Sequence, residues 1–193
     1  MSAFIAPPRK IPFYIRLGIW WAQRQTGKEM LIAKLLAWYP RAAISLGILE
    51  AFIAHNEPDV NARLLKLVRM QASFAVACPF CVDMNSYDSL AYNIRRDEIA
   101  ALRGQTPLVS VETFSERERL ALEYTNLISA TPLKFQPDFI AQLRAHFYER
   151  AIVILATTAA QVNYWARLIQ SLGVPPIGFS DSVNAKGKNN ADH

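Results

Sequence analysis

Glycine is scarce in this chain, with only seven glycines among 193 residues. A fold of many short β-strands needs turn residues at frequent intervals, so this scarcity argues against a β-sandwich or a β-barrel. Apolar residues recur instead at helical spacing in most windows. Hydrophobic residues make up 52% of the chain and charged residues 19%, which excludes a disordered protein. The composition predicts an all-α globular protein.

Long apolar runs and secretory signals are lacking as well. No charge-free apolar run reaches the roughly 18 residues that a transmembrane helix needs. The apolar stretch at 11–22 is interrupted by Arg16 and is followed by no small-residue cleavage site. We therefore expect a cytoplasmic protein without a membrane partner. In a reducing compartment, two cysteines as close as Cys78 and Cys81 are typical of catalytic or metal-binding thiols rather than of structural disulfides.

Acidic residues are rare in the first 50 positions, where seven basic side chains accompany only Glu29 and Glu50. The rest of the chain carries fourteen charges of each sign, so the first quarter supplies the whole net charge of +5. A basic face can bind nucleic acid or anionic lipid, but no nucleic-acid-binding motif accompanies this one. We predict no nucleic-acid partner and interpret the basic residues as solvated helix faces that also pack against a partner subunit.

Prolines and polar breaks divide the chain into helical segments. Three prolines before position 13 predict an irregular N-terminus. The spacing of apolar residues predicts helices near 29–38, 41–55, 59–74, 79–91, 96–102, 115–131, 137–147 and 149–172. We divide the chain into a basic helical extension that packs on the core, a main helical domain and a mobile polar tail. These three parts are residues 1–56, 57–179 and 180–193.

Cys78 and Cys81 lie at the start of a predicted helix and are the proposed functional centre. Pro79 suits the first helical position, which places Cys78 at the N-cap. The free amides and partial positive charge of a helix start stabilise a thiolate. One helical turn brings the two sulfurs close enough to form a disulfide. One thiolate can therefore attack a peroxide or a substrate disulfide, and the other can resolve the intermediate.

Two other interpretations of this pair remain open: half of a zinc site, and two inert core cysteines. Zinc needs two further ligands, and the chain offers only His55, His146 and His193, with no second cysteine pair. We therefore expect neither a metal nor another cofactor. Polar residues follow the pair and suggest a partly polar cleft. Among them, Asp83 points away from the face of Cys81 and Asn85, so we interpret it as a stabiliser of the first helical turn.

From about residue 59 to residue 179, the sequence resembles the carboxymuconolactone decarboxylase and alkyl hydroperoxidase D superfamily. The motifs that carry the resemblance lie in residues 78–85, 114–119, 143–147 and 167–176. The resemblance implies an all-α fold that assembles into dimers, trimers or hexamers, with the dithiol in a pocket near a subunit interface. Asn163 and Arg167 lie four residues apart where the family often has polar residues, and they are further pocket or interface candidates.

The resemblance also implies a division of labour between the thiols: Cys81 attacks the peroxide and Cys78 resolves. The peroxidase branch has a Glu twelve residues before the first cysteine and a His four residues after the second, which form a proton relay. This chain has Lys66 and Asn85 at those positions. Asn85 can form hydrogen bonds but has no titratable proton, and Lys66 favours a thiolate by its charge. We predict thiol chemistry with these two residues in supporting roles, without the usual relay.

The leading hypothesis is a thiol-dependent oxidoreductase of the alkyl hydroperoxidase or peroxiredoxin type. It reduces a small peroxide or a disulfide through a reversible Cys78–Cys81 disulfide, and an unidentified thiol reductant recycles it. The alternative is a non-peroxidatic helical module that forms oligomers and binds a small ligand or a protein partner. A decarboxylase is a third option, but nothing in the sequence specifies the anionic lactone on which that branch acts.

Overall fold

The structure, a computed structural model, describes residues 3–179, and these contain nine α-helices and no β-strand. The all-α prediction is confirmed, while the polar tail at 180–193 lies outside the described residues. Short 3₁₀ helices follow α2, α5 and α6. The α-helices are α1 Phe13–Thr26, α2 Leu31–Leu35, α3 Pro40–Ala51, α4 Ala62–Ala75, α5 Pro79–Ser86, α6 Arg96–Leu102, α7 Glu116–Ser129, α8 Pro137–His146 and α9 Glu149–Ser171.

Several predicted helices differ in extent from those of the structure, and α3, which was expected to reach residue 55, ends at Ala51. Residues 3–12 are irregular, as the three prolines predicted, but the sequence did not predict α1, which begins directly after Pro12 and ends where Gly27 adopts a left-handed φ of 65°. A proline just before or within the first turn does not oppose a helix, because its missing N–H has no partner there anyway. Helix α5 was expected to reach residue 91, but it ends at Ser86, and Asp88 has a left-handed φ of 58°.

Helix α4 is the central element, and it packs against α5, α7 and α9. Leu64, Leu65 and Val68 of α4 are buried with Leu155 and Ala159 of α9 in the largest apolar cluster. By length and composition alone, α9 could span a membrane, with a mean hydropathy of 1.2. Its buried apolar residues nevertheless pack against α4 and α7, as the apolar face of a core helix does.

A buried ion network joins the starts of α4, α6 and α7. Glu98 is fully buried, and its carboxylate accepts hydrogen bonds from Arg63 Nη2 at 2.6 Å, Thr113 Oγ1 at 2.7 Å and the Arg95 amide at 2.8 Å. The same Arg63 pairs with Glu118, which closes a capping box with Ser115 at the start of α7. One guanidinium thus fixes the relative positions of the starts of α4, α6 and α7.

Candidate functional site

The structure brings Cys78 and Cys81 together as a disulfide at the start of α5. The chain leaves α4, turns at Ala77 with a left-handed φ of 48°, and re-enters a helix at Pro79. Cys78 is the N-cap residue, as predicted, and its Sγ accepts a hydrogen bond from the Cys81 amide at 3.2 Å. The Cα atoms are 5.2 Å apart, within the range that a disulfide spans. The backbone alone therefore places the two sulfurs for reversible bond formation.

Both cysteines are buried, with Cys78 0% exposed and Cys81 1% exposed. They belong to an apolar cluster that also contains Ala166 and Ile169 of α9. It also contains Ile32 and Leu35 of α2, so the N-terminal extension packs over the dithiol. A reagent can reach the sulfurs only if it is small or if these neighbours move.

A buried polar pair lies beside the dithiol. Asn85 follows Cys81 by one helical turn and therefore shares its face of α5. Asn85 Nδ2 donates a hydrogen bond to Ser73 Oγ of α4 at 2.9 Å, and Ser73 Oγ donates to the Arg69 carbonyl at 2.7 Å. Both Asn85 and Ser73 are buried. The sequence indicated Asn85 but not Ser73, whose only signal was a lone serine among the apolar residues near the end of α4.

Lys66 lies farther from the sulfurs than Asn85 does. It precedes Ser73 by two turns of α4, which is about 10 Å along the helix axis. Its ammonium stands 5.3 Å from the centre of the Tyr92 ring. Burial lowers the pKa of Lys66 to about 8, against an opposing contribution from Asp88 and with a further lowering by Arg69. The amine is therefore partly neutral near physiological pH, and its supporting role remains a prediction.

Asp83 has a different role from the one predicted. It is buried, and its carboxylate accepts hydrogen bonds from the backbone amides of Ile177 at 3.2 Å and Phe179 at 3.0 Å. Because Asp83 lies in α5 between Cys81 and Asn85, the dithiol helix is tied to the segment that follows α9. The interpretation of Asp83 as a stabiliser of the first helical turn was wrong, because Asp83 lies beyond the first turn of α5 and binds a distant segment. Local sequence does not show such a tertiary contact.

The remaining candidates form contacts with other parts of the chain. Asn163 donates hydrogen bonds to Ser129 Oγ and to its own helix, and Arg167 donates to Thr131 Oγ1. His146 Nε2 lies 3.4 Å from Glu116 Oε1, and His146 Nδ1 lies 3.0 Å from the Gln142 carbonyl oxygen. Among residues 3–179, no group of three or more His, Cys, Asp or Glu side chains could hold a metal ion. His193 lies outside that range.

Comparison with solved structures decides the fold. The debrominase Bmp8, solved in complex with 2,3,4-tribromopyrrole, matches 96% of this chain and 98% of its own with a TM-score of 0.77 at 16% identity. The alkylhydroperoxidase AhpD core of a peroxidase-related protein from Ralstonia eutropha JMP134 matches 92% of this chain and 93% of its own with a TM-score of 0.76 at 16% identity. The chain has the AhpD-like helical fold.

Two sequence relatives, both uncharacterized proteins, add no function. The uncharacterized protein YnjA of Escherichia coli K12 is 28% identical over 181 residues, which are 91% of this chain and 94% of YnjA. The uncharacterized protein YdfG of Bacillus subtilis 168 is 26% identical over 119 residues, which are 61% of this chain and 79% of YdfG. No protein-family profile matches the chain. The comparisons therefore establish the fold of this chain.

Proposed function

We propose that this AhpD-like protein is a thiol-dependent oxidoreductase that reduces a small peroxide through a reversible Cys78–Cys81 disulfide. The observation that carries the proposal is the placement of both sulfurs at the start of α5, with the Cys81 amide donating to Cys78 Sγ. The helix start favours the thiolate form of both cysteines, and the amide donor favours the thiolate of Cys78, which resolves the intermediate. The AhpD-like fold and the pair spacing support the same interpretation.

In the oxidative half of the reaction, the Cys81 thiolate attacks the distal oxygen of a hydroperoxide. A sulfur–oxygen bond forms, the oxygen–oxygen bond breaks, and the alkoxide takes up a proton and leaves as the alcohol. Cys81 is then a sulfenic acid. The Cys78 thiolate attacks the Cys81 sulfur, the disulfide forms, and the displaced hydroxide takes up a proton and leaves as water. Two electrons pass from the dithiol to the peroxide.

In the reductive half, a thiolate of an external dithiol attacks Cys81 Sγ and displaces Cys78. The second thiol of the reductant then attacks the mixed disulfide, which restores Cys81 and leaves the reductant oxidised. Cys78 is the better leaving group of the two, because its sulfur accepts the hydrogen bond from the Cys81 amide and a stabilised thiolate leaves faster. The structure thus supports Cys81 as the sulfur that exchanges with outside molecules and Cys78 as its internal partner.

Burial of the dithiol narrows the substrate class. Both sulfurs lie beneath the apolar side chains of Ile32, Leu35 and Ile169, so a protein disulfide cannot reach them without movement of α2. A small apolar hydroperoxide matches these surroundings better. The buried Asn85 amide, held by Ser73, offers a carbonyl oxygen on the Cys81 face that can accept a hydrogen bond from the thiol or the peroxide.

The test is the loss of thiols from the reduced protein on addition of cumene hydroperoxide. Wild-type protein is expected to lose both thiols and form the disulfide. Cys78→Ser should lose its thiol to a sulfenic acid that a dimedone probe traps, whereas Cys81→Ser should react at least about tenfold more slowly. Equal rates of thiol loss in wild type and Cys81→Ser would contradict the assignment of Cys81 as the attacking residue.

The alternative, a non-peroxidatic helical module that binds a small ligand or a protein partner, rests on two observations. The sulfurs are almost fully buried, and Lys66 and Asn85 stand where the relay residues of the peroxidase branch would be. This alternative predicts that replacing both cysteines by serine leaves ligand binding unchanged. It also predicts that the native dithiol survives peroxide and 2,3,4-tribromopyrrole, the ligand of the Bmp8 structure.

A further inference from the structure

A cleft opens in the N-terminal extension between three elements. The irregular segment before α1 contributes Arg9 and Lys10, α1 contributes Arg16 and Trp20, and α2 contributes Lys34. The cleft has a volume of about 690 Å³, and sites for small molecules typically measure about 300–1,000 Å³. We call it the basic cleft. Its size suits a small molecule rather than a single ion.

The charges that line the basic cleft are almost all positive. Its four cationic side chains face a single carboxylate, that of Glu29, which is already paired with Lys34. Within residues 3–179, the side chains of Arg9, Lys10 and Arg16 form no ion pair and donate no hydrogen bond. Charges of one sign repel each other, and a concave surface focuses their field and concentrates counter-ions. The cleft therefore favours an anion, with three uncommitted cations to bind it.

Aromatic and aliphatic side chains form the rest of the lining. Trp20 is 52% exposed and contributes its indole ring. The guanidinium of Arg24 lies over this ring, 5.5 Å from its centre, and this cation–π contact helps to hold the ring in place. Ile11 and Ile19 add aliphatic surface to the same cleft. An inorganic anion would leave these side chains in water, whereas a flat apolar ring would cover them.

One neutral polar group completes the lining. Gln23 follows Ile19 by one helical turn, and Ile19 follows Arg16 in the same way, so the three share one face of α1. The side-chain amide of Gln23 forms no hydrogen bond within the described part of the chain, and an amide can both donate and accept one. Apolar walls with a few such polar groups are typical of sites for small molecules, whereas nucleic acid is bound by a longer series of phosphate contacts.

We propose that the basic cleft binds a small aromatic anion, a molecule with a flat apolar ring and one carboxylate or phosphate group. The anionic group binds to Arg9, Lys10 and Arg16, and the ring packs against Trp20. Because the cations are exposed, salt screens them, and binding should weaken as the salt concentration rises. The proposal goes beyond the reduction of peroxides and does not depend on the chemistry of the dithiol.

Isothermal titration calorimetry of the full chain with 1-naphthyl phosphate, 1-naphthoate and the neutral 1-naphthol tests the proposal. Both anions should bind the wild type at least about tenfold more tightly than 1-naphthol does, and the tighter of the two identifies the preferred anionic group. Arg16→Gln should weaken binding of 1-naphthyl phosphate about tenfold, and Arg16→Lys should restore most of it. Arg41→Gln is the matched control, because it removes the same charge from the extension but at an exposed position of α3 outside the cleft. This control should bind as the wild type does.

A second comparison tests the role of the ring. Trp20→Leu should bring the affinity for 1-naphthyl phosphate close to that for inorganic phosphate, because the packing surface for the ring is lost. Three results would overturn the proposal: no binding of either anion up to about 1 mM, equal affinities of Arg16→Gln and Arg41→Gln, or equal binding of 1-naphthol and the anions. Binding of an oligonucleotide or of phosphatidylserine vesicles that is lost in Arg16→Gln, without binding of either naphthyl anion, would overturn it as well. Circular dichroism confirms that each variant is folded before these comparisons.

Discussion

Removal of the Arg63 guanidinium should destabilise the fold severely. Arg63→Met retains most of the side-chain volume but leaves the fully buried carboxylate of Glu98 without its cation. Removing one partner of a buried ion pair lowers the free energy of unfolding by about 3–5 kcal/mol. For a domain of this size, 1 kcal/mol corresponds to about 2–4 °C in the unfolding midpoint. We therefore expect Arg63→Met to unfold roughly 6 °C or more below the wild type, as differential scanning calorimetry would record.

The dependence of stability on pH provides an independent check of the same network. Burial alone would raise the pKa of Glu98, but the hydrogen bonds from Arg63, the Arg95 amide and Thr113 outweigh it and hold the pKa below its ordinary value of 4.5. A depressed pKa in the folded state stabilises the fold at pH values above the unfolded pKa, and this contribution is lost as the pH falls through the folded value. Urea unfolding should therefore show wild-type stability falling steeply below about pH 4.5, and Glu98→Gln should show a shallower fall.

A double variant completes the test. Replacing Arg63 by Met and Glu98 by Leu together removes the fully buried carboxylate along with its cation, while Glu118 keeps its hydrogen bonds from Ser115. The double variant should be more stable than Arg63→Met alone, because truncating both partners avoids the desolvation penalty of the orphaned group. An Arg63→Met protein within about 1 kcal/mol of the wild type, or a double variant less stable than Arg63→Met, would refute this reasoning.

Three further changes test contacts around the dithiol. Asp83→Ala should lower stability by about 2 kcal/mol and speed hydrogen exchange of the Phe179 amide; unchanged exchange would show that this carboxylate does not hold the segment after α9. Ser73→Ala should cost about 1–3 kcal/mol in urea unfolding, because the Asn85 amide loses its buried acceptor, whereas a neutral change would mean that water replaces the hydroxyl. Burial lowers the pKa of Lys66 in the folded state from 10.5 to about 8, so between these two pH values the unfolded state binds more protons than the folded state. The free energy of unfolding of the oxidised protein should therefore rise from pH 8 to pH 10.5 in the wild type but not in Lys66→Met. Parallel plots of unfolding free energy against pH for the two proteins would contradict the burial of this amine.

Local sequence was sufficient to predict the start of the dithiol helix. Pro79 at the first helical position and Cys78 at the N-cap follow from rules that involve only a few adjacent residues. The capping box of Ser115 and Glu118 is another motif of this kind, and the structure contains it. Such features depend on backbone groups within one turn, so the surrounding fold changes them little.

The contacts around the dithiol could not be predicted in this way. Ser73 meets Asn85, and Asp83 meets the amides of Ile177 and Phe179, only because α5 returns along α4 and the last segment folds back over α5. These partners are separated by 12, 94 and 96 positions in the sequence. Nor could sequence show that α2 packs over the two cysteines, since a short apolar helix carries no sign of what it covers.

In the proposed reaction the two thiols act together as a two-electron reductant. Titration of the reduced protein with cumene hydroperoxide, with thiols and released alcohol counted in the same samples, tests this directly. We expect two thiols to disappear and one equivalent of cumyl alcohol to be released for each equivalent of peroxide. Peptide mapping should then locate the new disulfide between Cys78 and Cys81. Thiols that remain intact under excess peroxide, or that oxidise to sulfinic acid without a disulfide, would contradict this account.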